Sequence, residues 1–115
     1  MTAPTIDRAT FDSLKQTAGA EFVLELVDTF LQEAPGMLDE LRGALAARDA
    51  DKFRRAAHSL KSNSNTFGAL TLGAMARELE LGGVGKVVER GGQPLDALVE
   101  EYGRVAAALT ALRHE

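Results

Sequence analysis

From Leu95 onward, apolar side chains fall at Leu95, Leu98, Val99, Tyr102, Val105, Ala106, Leu109 and Leu112. That is the i, i+3, i+4 spacing of one α-helical face, and so wide a face must be covered by other helices in water. The rest of the chain repeats the pattern. Phe22, Val23, Leu26, Val27, Phe30 and Leu31 keep the spacing, which resumes in phase at Leu38, Leu41 and Leu45. Pro35 removes one backbone donor between these runs, so residues 20–48 are expected as one kinked helix or two nearly collinear ones. A short helix over residues 7–17 precedes them, with Asp7 as N-cap, Phe11 and Leu14 turned inward, and Gly19 as separator.

Asp49 or Asp51 caps the next helix, which runs to about Phe67, where Gly68 ends or bends it. A further helix begins near Leu70 and presents Leu72, Met75, Ala76 and Leu79 until the run GGVGK (residues 82–86) interrupts it. Gly91-Gly92 closes that interruption, and Pro94 in the first turn opens the last helix. No segment alternates as a strand, and neither an internal repeat nor a linker divides the chain. The expectation is an all-α chain: an antiparallel four-helix bundle with a short extra N-terminal helix, forming one domain over residues 1–115.

Without cysteine, the chain has no disulfide framework, thiolate metal site or Cys nucleophile, which fits a reducing compartment. The opening MTAPTIDRAT lacks a basic segment followed by an apolar one, and no apolar run approaches the roughly 20 residues of a membrane span. A cytoplasmic chain without membrane contact is expected. The formal net charge of −4 argues against nucleic-acid binding through phosphate neutralisation. Its distribution is uneven. Residues 51–67 set Lys52, Arg54, Arg55 and Lys61 against Asp51, a local +3 that leaves −7 on the rest.

His58 stands inside that basic segment. At about 100° per residue, Asp51, Arg54, Arg55, Lys61, Ser62 and Asn65 fall within about 60° of it. Phe53, Ala56, Leu60 and Phe67 fall on the opposite side, between about 140° and 220° away. The apolar side faces the core, so the imidazole faces water. Cations around an imidazole disfavour its protonation and leave a nucleophilic nitrogen. They would also stabilise the charge of a phosphoryl group placed on it. A mid-helix site has no free backbone N–H groups for a phosphate, so Lys61, Ser62 and Asn65 are the candidate substitutes.

His58-Ser59-Leu60-Lys61, then Gly68-Ala69, preceded by Ala57 and followed by Leu79-Glu80, resembles the histidine phosphotransfer (HPt) domain family. The resemblance extends upstream through Pro35, Leu38, Leu41, Ala44-Leu45 and Asp49, nearly the whole chain. It implies a four-helix bundle with an exposed phosphoacceptor on its second long helix. Carried over, His58 is the phosphoacceptor, Lys61 its charge partner and Gly68 the small residue near the site. Ser62 stands where the family usually has glycine directly after the lysine. Serine is still small enough for access, and its hydroxyl could donate to the phosphoryl group.

The implied activity is shuttling, not catalysis by a kinase or ATP-binding site. A receiver-domain phospho-aspartate passes its phosphoryl group to His58, and another response-regulator receiver takes it away. The implied partners are such receivers and a hybrid sensor histidine kinase, met by a monomer. The chain needs no cofactor of its own, since the receiver supplies Mg²⁺. Arg54 and Arg55 would steer the acidic receiver, while Ser59, Ser62, Asn65 and Gly68 line the face it approaches.

Other readings are weaker. GGVGK has Glu80 where a Walker motif needs its first glycine and Val87 where it needs Ser or Thr. A di-metal bundle needs Glu-xx-His, and His58 has Arg55 at that spacing. His114 falls in the C-terminal tail, and Asp39, Glu40, Glu100 and Glu101 read as solvated helix faces. A bundle that binds a partner without phosphorylation is the main alternative, though such a domain would typically lack the His or the Lys. A kinase dimerisation domain fits less well, because four long helices are already supplied within one chain.

Overall fold

The computed structural model describes residues 5–114; the first four residues of the MTAPTIDRAT opening, and Glu115, lie outside it. Five helices follow in order: α1 (Arg8–Ala18), α2 (Ala20–Ala47), α3 (Ala50–Thr66), α4 (Leu70–Glu89) and α5 (Gln93–Arg113). Helices α2 to α5 form the bundle, and α1 packs across α2 and α3. Antiparallel order is legible in individual contacts. Arg113 near the end of α5 donates to both carboxylate oxygens of Asp28 early in α2, at 2.6 and 3.0 Å. His58 on α3 meets Glu80 on α4, while Asn65, seven residues further along α3, lies over Gly73, seven residues earlier on α4.

The helix starts follow local chemistry. The Asp7 carboxylate accepts from the Thr10 backbone N–H, and the Asp49 carboxylate accepts from that of Lys52, both at 3.1 Å. Each satisfies one of the donors that a helix N-terminus leaves open. Helix α2 runs unbroken through Pro35. Of the two expected arrangements the single helix holds, because Pro35 lies on the solvent face, where water can replace the missing N–H at the Leu31 carbonyl.

The core is drawn from every helix. Val23, Val27 and Leu41 of α2, Phe53, Ala57 and Leu60 of α3, Leu72 and Ala76 of α4, and Leu98, Val105 and Leu109 of α5 are fully buried. The Phe30 ring stands 5.5 Å from Phe67 and 6.1 Å, edge-on, from Tyr102, tying α2 to the end of α3 and to α5. Two residues depart from the sequence pattern. Phe22 is 51% exposed, because Val23 and Val27 take the inward face at the start of α2. Glu101 is buried and not solvated: it continues the stripe between Leu98 and Val105, and Arg104 donates to it at 2.8 Å. The expected loop at GGVGK is a break at one residue. Gly83 (φ 71°, ψ −173°) takes a conformation open essentially to glycine alone, and helical backbone resumes directly after it.

Candidate functional site

The widest helix–helix contact in the fold is that between α3 and α4. It is close because small side chains line it. Ala56, Ala57 and Ser64 face inward on α3, and Gly73 and Ala76 do so on α4. An added Cβ at Gly73 would lie 2.0 Å from Asn65 Oδ1, so the missing side chain is what admits the amide. One helical turn beyond Ala76 the small-residue row ends in Glu80, which reaches across to α3.

There Glu80 holds two side chains. Its Oε2 lies 2.7 Å from His58 Nδ1, and its Oε1 accepts from Lys61 Nζ at 2.7 Å. The burial is graded. The Glu80 side chain is 15% exposed and Lys61 24%, whereas His58 is 57% exposed. The anchor is shielded and the imidazole is open, as the angular reading of α3 predicts.

The protonation pattern follows from the carboxylate. The Lys61 hydrogen bond, and then that of His58, hold Glu80 below its ordinary value, so it is ionised near neutrality and can only accept. Nδ1 must therefore be the donor, and in the neutral ring the lone pair sits on Nε2. Nε2 has no partner among the described residues. The result is a held imidazole whose outward nitrogen, in the neutral ring, carries the lone pair.

Sequence reasoning set Asp51 against the cations around His58 but left out Glu80, and the structure corrects the balance. Arg54 and Arg55 both reach Asp51, at 2.8 and 3.2 Å, so this trio presents one net positive charge. Lys61 is shared with a carboxylate. The imidazole thus has mixed surroundings. In the sequence Glu80 stands out as part of a family pattern and as a mismatch to a Walker motif, not as a partner of His58. The signal that could have found it is its place at i+4 from Ala76 and i+7 from Gly73, a charge at the end of an inward row.

The remaining candidates separate. Ser59 and Ser62 are exposed beside His58 on α3, and Thr66 Oγ1 donates to the Ser62 carbonyl at 2.9 Å. Asn65 is committed toward Gly73, two turns from the imidazole. Gly68 is not on the His58 surface at all. It is buried at the end of α3 with φ 85°, and its carbonyl accepts from the Asp7 N–H at 2.8 Å. A Cβ there would lie 2.7 Å from the Asp7 carbonyl oxygen. Its role is to turn the chain and seat the start of α1. No cluster of three or more His, Cys, Asp or Glu suited to a metal occurs among the described residues, and none of their helices is long and apolar enough to cross a membrane.

Comparison with known proteins agrees with this geometry. Residues 25–115 match the family model described as "Hpt domain". The sensor protein TorS of Escherichia coli (strain K12) is 33% identical over 113 residues, covering 96% of this chain but only 11% of TorS. The chain thus spans about a tenth of the length of that curated relative. The crystal structure of histidine-containing phosphotransfer protein B (HptB) from Pseudomonas aeruginosa PAO1 superimposes with a TM-score of 0.87 at 29% identity, over 98% of this chain and 97% of that one.

Proposed function

This chain belongs to the Hpt domain family, and from that premise we propose that His58 Nε2 carries the phosphoryl group between receiver domains. The observation that carries the reading is the 2.7 Å contact between Nδ1 and an ionised Glu80, which leaves the outward nitrogen with the lone pair. In the forward step, that lone pair attacks the phosphorus of a receiver's aspartyl phosphate. The P–N bond forms as the P–O bond to aspartate breaks, and the bonding pair leaves with the aspartate carboxylate. The ring, now bearing both the phosphoryl group and the Nδ1 proton, is an imidazolium next to the Glu80 carboxylate. Glu80 thus stabilises the product's ring charge, and Lys61 is the nearest cation for the phosphoryl oxygens. Transfer to a second receiver reverses each bond change.

Such chemistry asks little of the carrier beyond position and electrostatics, since phosphoryl transfer has a loose, charge-spread transition state. The receiver brings the aspartate and Mg²⁺. We assign Ser59 and Ser62 to the face it approaches, with Arg54 and Arg55 at the rim steering encounter more than holding the complex. Asn65 and Gly68 are left out of that face. The partners on this reading are response-regulator receivers and a hybrid sensor kinase.

The test is incubation with receivers carrying labelled phospho-aspartate. Label should move to the wild-type protein, survive alkali and be lost in acid, as a phosphoramidate does, and should be absent from a helical His58→Gln variant. Labelling of that variant would sink the assignment.

A further inference from the structure

We propose that the cleft between the broken end of α4 and the start of α5 is a docking site for an acidic peptide segment of a partner protein, anchored by one apolar side chain. The cleft encloses about 430 Å³ and shares no lining residue with the His58, Lys61 and Glu80 cluster. Three cations line it: Arg77, Lys86 and Arg90.

Their isolation is the first argument. Among the described residues, each other arginine has a carboxylate or carbonyl partner: Arg8 with Asp12, Arg42 with Asp39, Arg48 with the Leu45 carbonyl, Arg54 and Arg55 with Asp51, Arg104 with Glu101, and Arg113 with Asp28. Lys61 pairs with Glu80, and Lys15 lies over the Phe11 ring. Of the four cations left without a partner, Lys52 is elsewhere and the other three converge here, with Glu78 the one carboxylate among the lining residues. On a chain of net charge −4, a cleft that keeps +2 after Glu78 is counted, and whose cations form no ion pair with that carboxylate, favours an anionic occupant.

The backbone is the second argument. Gly83 supplies the break, and Gly82 supplies the space for Lys86. A Cβ at residue 82 would lie 2.9 Å from Lys86 Cδ and 3.1 Å from its Cβ, so the lysine stem rests on the glycine. With Glu80 and Val87 at the fixed positions of a Walker motif, Gly82 and Gly83 hold no phosphate loop and serve instead to set a cation at the cleft.

Apolar surface decides between a simple anion and a peptide. Leu81 lines the cleft at 69% exposure, the largest among the exposed large hydrophobic residues, and Pro94 stands with it. Inorganic phosphate would use neither. An acidic segment with one leucine-like residue would cover both and neutralise the cations. The site does not depend on the role given to His58.

The probe is a capped seven-residue peptide of Asp and Glu with one central Leu, titrated into isotopically labelled protein by NMR. Backbone shifts should concentrate on residues 77–94. The Arg77→Glu/Arg90→Glu double variant should bind at least ten-fold more weakly while its circular dichroism is unchanged, and a peptide with Ser for Leu should lose affinity several-fold. If the double variant fails to fold, Leu81→Ser serves, with the same several-fold loss expected. No detectable binding, undiminished affinity in the variants, or shifts centred on residues 54–65 would overturn the proposal. So would pyrophosphate competing as well as the peptide with the leucine making no difference, which marks an anion site only.

Discussion

Replacing Gly68 by alanine separates a structural from a functional role for a residue that sequence resemblance places near the phosphoryl site. The residue has φ 85°, where an L side chain carries a penalty of roughly 1–2 kcal/mol. The new Cβ would come within 2.7 Å of the Asp7 carbonyl oxygen and 3.1 Å of Thr10 Cβ. The first of these is backbone, pinned by the 2.8 Å hydrogen bond from Asp7 N–H to the Gly68 carbonyl, so relief requires the start of α1 to lift. Losing that hydrogen bond adds about 0.5–1.5 kcal/mol. The sum is about 1.5–3.5 kcal/mol, a fall in Tm of roughly 10 °C for a domain of this size. Urea unfolding followed by helical circular dichroism measures it. Phosphoryl transfer to the folded variant should stay within about two-fold of wild type, because Gly68 lies ten residues, about 15 Å along a helix, from His58. A loss below about 0.5 kcal/mol, or a folded variant that no longer transfers, would refute the reasoning.

Glu80→Gln should leave the bundle folded but slow acceptance by about ten-fold or more, since an amide neither fixes the Nδ1–H tautomer nor balances the imidazolium; rapid-quench transfer kinetics would show it, and unchanged rates would count against the orienting role. The Glu80 side-chain carboxyl, followed by carbon NMR, should titrate below the ordinary value of 4.5, because Lys61 and then His58 favour its ionised form. With a lowered folded pKa, its contribution to stability is present above that ordinary value and is lost as pH falls through the folded one. Ser64 is fully buried and its hydroxyl has no partner, so Ser64→Ala should be neutral or raise stability by up to about 1–2 kcal/mol in urea unfolding; a clear loss would mean the hydroxyl is satisfied.

What was legible in the sequence is what a single helix determines. The exposure of His58, the caps at Asp7 and Asp49, the turn at Gly19 and the bundle itself follow from periodicity and local chemistry. Asp51 as the partner of both arginines was also within reach, lying at i−3 and i−4 from them on one helix. Glu80 was not, because which α4 residue meets His58 depends on the register of two helices packed through Gly73 and Ala76. The burial of Glu101 escaped for a similar reason: its stripe position was visible, but residue type argued for solvent until Arg104 was seen to satisfy it. Pro35 and GGVGK mark the other limit, since breaker residues report a missing donor or a permitted conformation and not how far the helix yields.

The most direct test of the account is the nitrogen to which phosphorus becomes attached. Histidine proton–nitrogen correlation spectra, taken before and after phosphorylation by a labelled receiver, resolve Nδ1 from Nε2. The neutral ring of His58 should carry its proton on Nδ1, and the phosphorylated protein should show phosphorus coupling at His58 Nε2 with Nδ1 still protonated. Coupling at Nδ1, or at His114, would contradict the arrangement in which Glu80 holds one nitrogen and offers the other.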